Sequence, residues 1–95
     1  MSGIETSMLG KSGVELTRLG LGCAPLGDIM DAIPEEQAQS ALQAAWKGGV
    51  RYFDTSPFYG YGKSEHRMGT FLRQQSRQDF VVSTKVGRVF QALAE

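Results

Sequence analysis

The chain has 95 residues, ten basic and ten acidic side chains and no formal net charge, which fits one domain or part of one and gives no reason to expect nucleic acid or an anionic membrane as partner. The single cysteine, Cys23, excludes a disulfide framework, and the ligands of a zinc site are missing. A lone thiol, a start (Met1–Glu5) without the pattern of a signal peptide, and no apolar run near the roughly 20 residues that span a bilayer predict a soluble cytoplasmic protein.

In chain order, Ser7–Met8–Leu9 and Val14–Glu15–Leu16–Thr17 flank Gly10–Lys11–Ser12–Gly13, which predicts a short antiparallel hairpin. Leu19 to Ala24 is a glycine-rich apolar run that reads as a buried strand, followed by a loop from Pro25 to Ile33. Pro34 stands where a first helical turn tolerates proline, and Glu35 and Glu36 suit the positive end of a helix dipole. Ala38, Ala41, Leu42, Ala45 and Trp46 then form one apolar helical stripe, and Gly48–Gly49 closes the helix. Trp46 on that stripe reads as core.

Val50 to Asp54 has the β-branched and aromatic residues of a strand, and Ser56 to Lys63 reads as a loop punctuated by Pro57, Gly60 and Gly62. Ser64 is the expected N-cap of a second helix with Met68, Phe71 and Leu72 inward, and Phe80 to Val86 is a third strand. The two later strands begin about 30 residues apart, the spacing of βαβ units. Their near-continuous apolar character predicts parallel strands buried on both faces.

Asp54 and Lys85 sit at or near the C-terminal ends of two such strands, which in neighbouring positions lie about 4.8 Å apart. Position alone fits either a structural ion pair or a site, since strand C-termini are where α/β folds carry their chemistry. Tyr59 weights the second reading. It lies in a loop that Pro57 and Gly60 can turn back across the strand ends. A phenol with its ordinary pKa of about 10 is a poor acid near neutrality. A lysine ammonium beside it favours the phenolate, and a carboxylate beside the lysine holds that ammonium in place. Aspartate, tyrosine and lysine together make a tuned general acid.

Three stretches carry a resemblance. Arg51 to Glu65 contains Asp54–Thr55, then Tyr59–Gly60, then Ser64–Glu65; Leu19 to Gly27 and Ser83 to Gly87 flank it in order. Together they resemble the aldo-keto reductase family, its first barrel strand and the third strand that brings its lysine. The Ser56–Pro57–Phe58–Tyr59–Gly60 and Ser83–Thr84–Lys85–Val86–Gly87–Arg88 forms look most like the sugar- and pyridoxal-oxidising members.

The resemblance implies hydride transfer between NADP or NAD and a small carbonyl or sugar substrate. Tyr59 would exchange the proton, Lys85 would tune it, and Asp54 would anchor Lys85. Gly22, Cys23 and Ala24, with Asp54, would lie against the cofactor. Cys23 stands where many members have threonine, and it reads as a small buried residue rather than a redox group. His66 is not the family's substrate-orienting histidine, which belongs to the next strand; it reads as a surface residue.

A (β/α)₈ barrel needs about 250 residues. The 95 present are expected to form its N-terminal part, a hairpin plus about three βα units of a single domain, ending at Val89–Glu95 without a helix stop signal. Open strand edges predict a marginally stable piece without turnover alone. The other reading is a binding or assembly module that keeps the partial fold without catalysis.

Overall fold

The computed structural model describes residues 3–87. Strands β1 (Thr6–Met8) and β2 (Glu15–Thr17) form the expected hairpin, pairing Thr6 with Thr17, Ser7 with Leu16 and Met8 with Glu15. Gly10 and Gly13 take the left-handed conformation that its turn demands, at φ 54° and 82°. Buried Thr17 ties the hairpin to the rest: its hydroxyl accepts from the Arg51 amide at 3.1 Å and donates to the Leu19 carbonyl at 2.9 Å.

Three parallel strands follow, β3 (Leu21–Gly22), β4 (Tyr52–Asp54) and β5 (Val81–Ser83), in that spatial order. Helix α1 (Glu35–Lys47) links β3 to β4, and α2 (Lys63–Leu72) links β4 to β5. Leu21, Phe53 and Val82 share a register row and pack with the helices. Phe53 and Leu42 are fully buried there, and burying a side chain of that size contributes about 1.5–3 kcal/mol. Trp46 joins this core, its ring 6.3 Å from Phe53, 5.9 Å from Phe71 and 6.4 Å from Phe80.

Several expectations need correction. Ala41 is exposed, while Ala38 and Leu42 are buried. At about 100° per residue Ala41 lies on the flank of the stripe, and α1 turns its Ala38–Leu42 side toward α2 and the sheet. The first parallel strand is shorter than Leu19–Ala24, because Pro25 and Gly27 belong to a 3₁₀ turn over Ala24–Gly27. Pro34 precedes α1 as its cap residue, in extended conformation. Ser64 is not the cap of α2: Gly62, at φ 98°, holds that place, and the Ser64 hydroxyl is used elsewhere. The third strand stops at Ser83, so Lys85 stands two residues beyond it. The strands are covered by helices on one face, and Tyr52, Asp54, Val81 and Ser83 on the other are half-buried among the described residues. Val89–Glu95 lies outside the described residues. No helix among the described residues is long and apolar enough to cross a membrane.

Candidate active site at the strand C-termini

The period of two along β4 sends Phe53 to the helices and Tyr52 and Asp54 to the opposite face. Asp54 is the last residue of β4, with Gly22 of β3 and Ser83 of β5 beside it in register. Parallel pairing continues past the strands, Cys23 N donating to the Asp54 carbonyl at 2.8 Å and Thr55 N to the Ser83 carbonyl at 2.9 Å. The three strand ends are thus one rigid rim, and the candidate chemistry stands on it.

Both Asp54 oxygens are engaged. Ser83 Oγ donates to Oδ1 at 2.5 Å, and Lys85 Nζ donates to Oδ2 at 2.7 Å. The one Ser83 proton is spent on Asp54, so the 2.9 Å bond to Tyr52 has the phenol as donor. Lys85 Nζ also donates to the Thr55 carbonyl at 2.9 Å. The Lys85 ammonium, by its hydrogen bond first, holds the Asp54 carboxyl below the usual carboxylate range, and Ser83 adds to this against a smaller opposing effect of burial. Reciprocally, Asp54 raises Lys85 above the ordinary lysine value, with a smaller push from Tyr59. The sequence places Asp54 and Lys85 here; Ser83 and Tyr52 carry no motif of their own, and only two-residue alternation from Asp54 across the register points to them.

Tyr59 comes to the same rim from the β4–α2 loop. Its amide donates to the Ser56 carbonyl at 3.1 Å, the Gly62 amide to Pro57 at 2.9 Å, and Gly60 takes φ 70°. That curl brings the Tyr59 ring centroid to 5.4 Å from Lys85 Nζ. The loop is stapled from below by two buried hydroxyls. Ser64 Oγ donates to the Cys23 carbonyl at 2.7 Å, so Thr55 Oγ1 is the donor in its 2.7 Å bond to Ser64. Ser56, Pro57, Phe58, Lys85 and Val86 line a shallow pocket beside the lysine.

The residues expected at the cofactor fall into two kinds. Gly22 is exposed, and a Cβ there would meet nothing within 4 Å, so the rim above it is open. Ala24 is half-buried. Cys23 is fully buried, its Sγ 3.9 Å from Met68 Sδ, and burial, helped by the Asp54 charge, pushes the thiol up to about 12. Only the backbone of Cys23 can face the rim. His66 is exposed on α2. Among the described residues no three His, Cys, Asp or Glu side chains gather as a metal site. Sequence reading gave no sign of a second charged cluster, in which buried Arg67 meets Asp28 and Glu35 behind the tyrosine loop.

A model of the aldo/keto reductase family matches residues 18–94. The chain is 46% identical over 85 residues to pyridoxal 4-dehydrogenase of Microbacterium luteolum, covering 90% of this chain and 25% of that protein. It is 46% identical over 78 residues to D-threo-aldose 1-dehydrogenase of Pseudomonas sp, covering 82% and 24%. Among solved structures, an aldo-keto reductase from Bacillus halodurans in its holo form superposes with a TM-score of 0.81 at 31% identity, covering 93% of this chain and 28% of that one. The chain therefore spans about a quarter of the length of the curated relatives it matches.

Proposed function

The chain belongs to the aldo/keto reductase family, and from that premise we propose that Asp54, Tyr59 and Lys85 are the proton-transfer part of an NAD(P)-dependent oxidoreductase site. The carrying observation is the placement of Lys85 Nζ, 2.7 Å from the Asp54 carboxylate and 5.4 Å from the Tyr59 ring centroid. In this reading residues 1–95 are the N-terminal part of one barrel domain, at work in the cytoplasm. The substrate is a small carbonyl or the matching alcohol, with aldoses and pyridoxal favoured by the names of the two relatives at 46% identity.

Bound NAD(P) supplies hydride exchange at the carbonyl carbon. The chain offers it an open rim at Gly22, the backbone of Cys23 and Ala24, and the edge of Asp54. Tyr59 gives the proton to the carbonyl oxygen during reduction and takes it back during oxidation. An ammonium beside a phenol favours its ionised form, which lowers the cost of that transfer. Asp54 fixes the ammonium through one oxygen while Ser83 occupies the other, so the carboxylate cannot swing away. By themselves the 95 residues are expected to show no turnover.

A chimaera tests the reading. Residues 1–95 replace the matching segment of the Microbacterium luteolum pyridoxal 4-dehydrogenase, and pyridoxal oxidation is followed through the nicotinamide. The chimaera should turn over, and Tyr59→Phe should lower kcat by about 10²–10⁴-fold, the usual worth of a positioned acid–base group. An active chimaera indifferent to Tyr59→Phe sinks the proposal.

A further inference from the structure

The proposed reaction makes no use of the charged cluster behind the tyrosine loop. Arg67 lies on α2 with its side chain 7% exposed. A guanidinium so placed needs acceptors for its donors. Nη1 donates to the Leu26 carbonyl at 3.1 Å and meets Asp28 Oδ1 at 3.3 Å. Nη2 donates to the Ile33 carbonyl at 2.9 Å, and Nε to Glu35 Oε1 at 3.1 Å. One side chain therefore grips the segment from Leu26 to Glu35 at both ends. A buried ion pair is weak evidence for a purely stabilising role, because replacing the whole pair by apolar side chains is often neutral or better. An apolar side chain could fill the space, but it could not fix where the two carbonyls lie.

Their position matters because of Gly27, which sits between the gripped Leu26 carbonyl and the gripped Asp28 carboxylate. The Gly27 backbone packs closely against the peptide that joins Tyr59 to Gly60. A Cβ at Gly27 would come to 2.4 Å from the Tyr59 carbonyl carbon, and one at Gly60 to 2.5 Å from the Gly27 carbonyl oxygen. Lys63, just past the loop, pairs with the same Asp28. The Tyr59 backbone thus leans on a wall, and Arg67 sets where that wall stands.

We infer that Arg67 is a positioning residue for Tyr59: by holding Leu26 to Asp28 it fixes the Tyr59–Gly60 peptide and so the direction in which the phenol meets Lys85. The inference rests on the reading of Tyr59 as the proton donor, but its test reads geometry and not rate. The full chain, isotope-labelled for NMR, is compared with Arg67→Met, Arg67→Lys and Asp28→Asn. The unsubstituted chain should show a nuclear Overhauser contact between the Lys85 ε-methylene and the Tyr59 ring. Arg67→Met should lose it while the Trp46 contacts with Phe53 and Phe71 persist, which a general loosening of the fold would not allow. Arg67→Lys, still able to donate to one carbonyl, should recover part of it.

Asp28→Asn keeps the side-chain size, leaves the core closed and weakens the grip; it should reduce the same contact, and it decides the matter if Arg67→Met does not fold. A full Tyr59–Lys85 contact in folded Arg67→Met, or in Asp28→Asn when the first variant is unfolded, overturns the inference. So does its absence from the unsubstituted chain. Failure of Tyr59 as proton donor would appear separately, in the rates of the chimaera.

Discussion

Two aspartate–cation clusters flank the tyrosine loop, and they are built to opposite ends. At the rim, Asp54 and Lys85 keep 38% and 48% of their side chains exposed, and the ammonium has the Tyr59 ring beside it. Behind the loop, Arg67 is 7% exposed and is bonded to two carbonyls and two carboxylates. The same chemical ingredients stand open in one place and closed in the other. What separates them is access: under the proposed function a group that exchanges a proton with a substrate has to stay open on one side, whereas Arg67, bonded to backbone carbonyls, is closed off. The difference also orders the consequences of disturbing each cluster.

The largest effect falls on rate at the open cluster. In the chimaera, Lys85→Met should lower kcat on the order of 10²-fold, because the proposed proton donor loses the ammonium beside its ring. The melting temperature should hold, since exposed ion pairs add little to stability. Stopped-flow or steady-state rates beside a thermal melt check both halves. A variant that melted early and kept its rate would reverse the contrast between the clusters.

The closed cluster should answer the other way in the full chain. Arg67→Met leaves the Leu26 and Ile33 carbonyls without their donor and should cost about 1–3 kcal/mol in urea unfolding. Lys85→Met, measured beside it, should leave the urea midpoint in place. Ser64 joins the two regions, since its hydroxyl bonds the Cys23 carbonyl on one side and Thr55 on the other. Ser64→Ala therefore strands the buried Thr55 hydroxyl and leaves the Cys23 carbonyl with the Leu26 amide alone, and a loss of about 1–2 kcal/mol is expected in the same titration. No loss would mean that the hydroxyl relay does not staple the loop.

How much of this was open to sequence reading follows from the range of each interaction. The hairpin, the two helices and the three strands are local patterns of glycine, apolar period and β-branched residues, and they were found within a few residues of their ends. The meeting of Asp54, Tyr59 and Lys85 is legible because strand ends and a glycine-turned loop place them by local rules plus one neighbouring pair. Ser64 was misassigned because a serine before a helix fits a cap, and only the tertiary position of the Cys23 carbonyl shows its actual use. Arg67 carries only a weak signal: four residues before Phe71 it falls on the inner stripe of α2, but its acceptors lie 32 to 41 residues away and no local pattern names them. The Gly27–Gly60 contact was hidden for the same reason: both glycines read as turn residues, whereas their backbones press on each other.

The smallest expected effect is the dependence of stability on pH, and it separates the clusters by the sign of the groups involved. Asp54 is held below its ordinary value near 3.8, first by Lys85 and then by Ser83. Its contribution is therefore present above 3.8 and lost as pH falls through the lower folded value. Asp28 is lowered as well, chiefly by Lys63 and by the Ile33 amide, so both clusters contribute to acid destabilisation. Lys85 is raised above 10.5, chiefly by Asp54, so its share is complete below 10.5 and disappears as pH rises through the higher folded value. Melting temperatures across pH should then show a shallow acid limb that either Asp54→Asn or Asp28→Asn reduces. The alkaline limb should respond to Asp54→Asn, because that carboxylate is the chief cause of the raised Lys85. An alkaline limb that survived Asp54→Asn unchanged would mean that the Asp54–Lys85 pair does not hold Lys85 above its ordinary value, and the anchoring role proposed for Asp54 would lose its support.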